Sequence, residues 1–107
     1  MEEKAAPQVV RIADLVQYQD DSIISRTVLK KEGGSVTLFA FDRSQALSEH
    51  SAPFDALVQV LEGEAEITIS GSAYRLVQGE MIVMPANQPH AVKAPARFKM
   101  SLTMVKA

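Results

Sequence analysis

Turn-forming residues punctuate this chain closely, and almost no helical periodicity survives between them. After Lys31-Glu32-Gly33-Gly34 come Pro53, Gly63, Gly71-Ser72, Gln78-Gly79, Pro85, Pro89 and Pro95. Their spacing averages roughly ten residues, the rhythm of short strands. Ala65 to Ser70 (AEITIS) shows the underlying pattern most plainly. Ile67 and Ile69 fall on one side, and Glu66, Thr68 and Ser70 on the other. Period two is the mark of a half-buried strand.

The same reading extends along the chain. Residues 1–7 (MEEKAAP) form a polar lead-in. Val9, Val10 and Ile12 make a short extended piece, with a single helical turn after Asp14. Ser22–Lys30 and Ser35–Asp42 flank the Gly-Gly turn as a hairpin. Arg43–Ser48 reads as a loop leading to Glu49 and His50. Ala56–Glu62 is a strand apolar on both faces, turned by Gly63 into Ala65–Ser70. Gly71-Ser72 is a two-residue hairpin turn, and Ala73–Val77 returns from it. Met81–Met84 is an apolar run stopped by Pro85. His90 restarts pairing after PANQP, whose two prolines remove ladder donors. In the last strand Phe98, Met100, Leu102 and Met104 share one face, opposite Lys99, Ser101 and Thr103. About nine short strands predict an all-β sandwich or barrel. A closed antiparallel barrel also leaves no free edge.

A length of 107 residues implies one domain over 1–107. Net charge is −2, so the bulk charge points neither to nucleic acid nor to an acidic membrane. Absence of cysteine removes disulfides and thiolate chemistry and fits a reducing compartment. No apolar run reaches the roughly 18 residues of a membrane span. The N-terminus has no basic-then-apolar leader pattern. A cytoplasmic protein is the expectation.

The chain holds two histidines, His50 and His90, each at the edge of a strand-like run. The segments around them, about 44–63 and 79–94, resemble the two sequence motifs of the cupin superfamily. His50 takes the first histidine position of motif one, and Gly63 its closing glycine. Gly79, Pro85 and His90 take the glycine, proline and histidine of motif two. The resemblance covers about 36–104 and implies an antiparallel jelly-roll β-barrel. Its departures are specific. Ser44 stands where motif one opens with glycine, Ala52 at the second histidine, Ala56 at the glutamate, Asn87 at a glycine and Ala94 at an asparagine. Asn tolerates the left-handed backbone that a glycine serves.

The resemblance therefore implies a metal site reduced from four ligands to His50 and His90, able to hold Zn, Ni, Fe, Mn or Cu only weakly. Asp55, Glu49 and Gln59 fail to replace the missing ligands because strand alternation turns them to the other face. The implied pocket is lined by His50, His90, Ala52, Ala56, Val58 and Met100. Met81, Met84, Met100 and Met104 serve either as ordinary core or as a soft pocket wall. Arg43, Arg97 and Lys99 read as solvated.

Three functions follow as expectations. The first is a small cupin binding a small molecule in its barrel. The second is a metal-dependent dioxygenase or isomerase on a two-histidine site, or a metal-free variant with a histidine base. The third is a dimeric barrel with a structural or interaction role, since the resemblance implies a homodimer. Its contact would be the outer face of Ala56–Leu61 and the N-terminal strands.

Overall fold

The computed structural model describes residues 6–107. Residues 1–5 of the expected lead-in lie outside the described residues. A 3-10 turn (Ile12–Leu15) precedes eight strands: β1 Ile23–Lys31, β2 Gly34–Phe41, β3 Ala46–His50, β4 Phe54–Ile69, β5 Ser72–Val77, β6 Met81–Met84, β7 His90–Lys93 and β8 Phe98–Lys106. All pairing is antiparallel. The order is β1-β2-β8-β4-β7-β3, with β5 and β6 both on β4.

The long strand β4 builds both walls of the barrel. Its first half pairs with β6 and β8, and its second half with β5 and β7. Gly63 was expected to reverse the chain between two strands; here it bends one strand instead. A bulge between Val60 and Glu62 and a positive φ of 79° at Gly63 produce the bend. A Cβ at Gly63 would run into the Arg97 carbonyl and Phe98.

Several other boundaries differ from the sequence expectation. Residues 46–48 belong to β3 rather than to a loop, and Val9–Ile12 pairs with nothing as a strand. The β4–β5 turn is Ser70-Gly71, one residue earlier than expected, and both residues have positive φ. That is the type I′ geometry matched to strand twist. Ser44 and Asn87, which replace motif glycines, keep φ values of 72° and 67°.

Two cores result. Inside the barrel Phe41, Val58, Val60, Ile67, Val92, Phe98 and Met100 are almost fully buried. The Phe41 and Phe98 rings stack, with centroids 4.5 Å apart. Outside it, residues 15–18 lie over Leu38, Ala40 and Leu61. This cover explains why β8 is buried on both faces at its start. It also corrects the reading of Lys99, whose side chain is buried. Its Nζ donates to the Ala13 carbonyl at 2.6 Å and lies 3.4 Å from Glu62 Oε1. The Tyr18 hydroxyl donates to Glu62 Oε2, and its ring lies under both Lys99 and Arg97. Burial, then the Glu62 carboxylate, raises the Tyr18 pKa. Arg97 is half-exposed and spans Asp20 and Asp42. Its hydrogen bond holds the Asp42 pKa down at about 2.

Among the described residues, no helix is long and apolar enough to cross a membrane.

Candidate functional site

Strand register decides which side chains meet inside the barrel. Direct antiparallel partners share a face. Ile67 pairs with Val92, and Ile69 with His90. Ile69 points into the core, so His90 does too.

His50 reaches the same face by a bulge. Leu47 pairs with Val92, but the next partnership is His50 with His90, so β3 carries one extra residue. In regular register Glu49 would oppose His90. The bulge turns the acid outward and sets the imidazole opposite its fellow, a known use of bulges near sites. The ring centroids are 4.4 Å apart and edge-to-face, at 68°. His90 is buried and His50 is exposed at the rim.

Both rings are oriented by the main chain. His50 Nδ1 lies 2.8 Å from the Ser48 carbonyl, and His90 Nδ1 lies 3.1 Å from the Gln88 carbonyl. A carbonyl only accepts, so each Nδ1 carries the hydrogen and donates it. Each Nε2 then keeps a lone pair for an incoming donor or metal.

The loops beneath the rings are tied together. Asn87 N donates to the Ala52 carbonyl, and Ser70 N to the Pro89 carbonyl. Asp55 points outward, as alternation predicts, and its carboxylate accepts from Ala86 N at 2.9 Å. Ala52 is half-buried beside this tie. Ala56 pairs with Met84 and Met104 on the concave face, while Val58 and Met100 lie deeper in the packed core. Grooves of about 230, 200 and 270 Å³ elsewhere on the surface are lined by neither imidazole.

The donor set does not fit a resident metal ion. The imidazoles supply two donors, methyl groups stand at positions 52 and 56, and among the described residues no third His, Cys, Asp or Glu completes a cluster. Structural and catalytic ions ordinarily take three or four protein ligands.

Burial lowers the His90 pKa from its ordinary 6.5; the bond to Gln88 opposes this, and the His50 charge adds to it. A depressed folded pKa contributes stability above 6.5, and this is lost as pH falls through the folded value, because the unfolded chain takes the proton first. The urea midpoint should therefore fall as pH drops from 6.5 toward the folded value and level off below it. In His90→Asn this part of the pH dependence should disappear; an unchanged slope would show that His90 is not the group responsible.

Comparison with known proteins agrees with the barrel. A model of the Cupin domain family matches residues 38–106, and the chain belongs to that family. A conserved protein of unknown function from Streptococcus pyogenes is 40% identical, with a TM-score of 0.89 over 94% of this chain and 88% of that one. A cupin superfamily protein from Desulfitobacterium hafniense is 26% identical, with a TM-score of 0.89 over 94% of this chain and 92% of that one. A conserved barrel domain protein from Leptotrichia buccalis is 40% identical, with a TM-score of 0.86 over 88% of this chain and 46% of that one. No curated protein matches the chain.

Proposed function

We propose that this cupin binds a small molecule at the barrel mouth, around His50 and His90. The observation that carries the reading is the pair itself. Two imidazoles stand side by side on the concave face, each with Nδ1 engaged and Nε2 free. The core-facing side of the other sheet carries Ala56, Met84 and Met104. An apolar wall with a few convergent polar atoms is the usual make-up of a small-molecule site. Each Nε2 accepts a hydrogen bond from a hydroxyl or N–H of the ligand, and the methionines adapt to its apolar part.

A fragment screen read on the histidine ring signals in NMR tests this. Binders should move the ring signals of both His50 and His90, together with the Met84 and Met104 methyls. Ala52→Phe, which adds bulk two residues after His50, should abolish the response while leaving the remaining spectrum folded. A screen in which no fragment moves either ring contradicts the reading. The same signals report on zinc added alone: weak, partial perturbation agrees with a two-ligand set, and stoichiometric tight binding would favour a metal-dependent role.

A further inference from the structure

A second bulge decides what charge faces the mouth. In β1, Thr27 pairs with Thr37, but Leu29 pairs with Val36 and Lys30 with Ser35, leaving Val28 as the extra residue. Ser35 pairs with Met104, which packs on the barrel core. Lys30 therefore stands on the concave side, and Leu29 is turned outward, 55% exposed. In regular register the two would change places, with leucine inward and lysine outward. Apolar burial alone favours that regular arrangement. The bulge exposes a leucine and brings a cation to the inner face.

Lys106 joins it from β8. Two residues beyond Met104, it pairs with Phe54, two residues before Ala56. Its amide donates to the Gly33 carbonyl, and Ala107 N donates to the Pro53 carbonyl. The strand end is thus fixed beside residues 51–53, which follow His50. Lys30, Lys106, His50 and His90 share one end of the barrel.

Every acidic strand residue is turned away. Glu49 is turned outward by the β3 bulge and Asp55 by alternation, and Asp55 is held by Ala86 N. Glu62, Glu64 and Glu66 fall on the outer face, opposite Lys99, Val77 and Arg75. Glu32 sits in the exposed tip of the β1–β2 turn, past the last paired residues. Among the described strand residues, the charged side chains of the concave face are all basic.

We infer that the ligand of this mouth is a small organic anion, its carboxylate or phosphate drawn to Lys30 and Lys106 while its uncharged end meets the imidazoles. This rests on the mouth being the binding site, and adds the sign of the ligand's charge. One-signed surroundings raise the local concentration of the opposite charge, and salt weakens the effect.

Calorimetry with 4-hydroxybenzoate, phenyl phosphate and the neutral 4-hydroxybenzamide tests the inference. At least one anion should bind about tenfold more tightly than the amide. Preference for one anion over the other identifies the carboxylate or the phosphate as the recognised group, and either preference supports the inference. The Lys30→Gln/Lys106→Gln protein, altered only at exposed positions, should lose that advantage, as should the native protein in high salt. Equal binding of amide and anions overturns the charge preference and leaves the mouth reading standing. Absence of binding by both anions, while neutral fragments still move the histidine signals, overturns it as well. Loss of all ring responses in the fragment screen is instead the failure of the site itself.

Discussion

Gly63→Ala is expected to leave the chain unfolded or to lower its stability by about 3 kcal/mol or more. Positive φ alone costs an L-residue roughly 1–2 kcal/mol. Here the added methyl also meets the Arg97 carbonyl and the Phe98 Cα and Cβ, where the chain enters the neighbouring strand β8. Overpacking of that kind costs typically about 1–3 kcal/mol, and backbone atoms have little freedom to move aside. Gly71 provides the control. Its φ is 84°, but a Cβ there meets nothing within 4 Å. Gly71→Ala should show the conformational part alone, so the difference in urea midpoint isolates the steric part. Equal losses in the two variants would mean that β4 and β8 do not approach at the bend.

The second large effect is expected from Phe98→Ala. Phe98 and Phe41 are both fully buried, and their rings stack with an interplanar angle of 15°. Removing a buried phenylalanine costs about 3–5 kcal/mol, of which part is the cavity left behind. Total stability of a domain this size is about 5–15 kcal/mol, so the melting temperature should fall by roughly 15 °C or more. Phe98→Leu should recover most of the loss. A drop of only a few degrees for Phe98→Ala would mean that the ring is not packed between the two walls.

Much of this architecture was legible in the residues, and the parts that were not share a cause. Alternation in β4 and β8 gave the correct inner faces, and it rightly sent Asp55 and Gln59 outward. Motif spacing led to His50 and His90, which the barrel makes direct partners. Ser44 and Asn87 have left-handed backbone where the resemblance called for glycine. Gly63 signals a positive φ in the sequence without saying whether the chain reverses or only bends. The burial of Lys99 has no local sequence signal, because its cover comes from residues 13–18, far away in the chain. The bulges in β1 and β3 gave no signal at all. One extra residue in a strand leaves no trace in composition and is defined only against the partner strand. Yet these two bulges set Lys30 and His50 on the concave face, so motif spacing pointed to His50 while the register that turns it inward, and the inward turn of Lys30, were not visible in sequence.

The most direct test of the account is a ring-to-ring nuclear Overhauser measurement on histidine-labelled protein, read with the ring ¹⁵N shifts. The bulge in β3 predicts cross-peaks between the His50 and His90 ring protons. The bonds to the Ser48 and Gln88 carbonyls predict that each ring carries a hydrogen on Nδ1. Rings without mutual cross-peaks, or a His50 ring protonated on Nε2 and free in solvent, would contradict it.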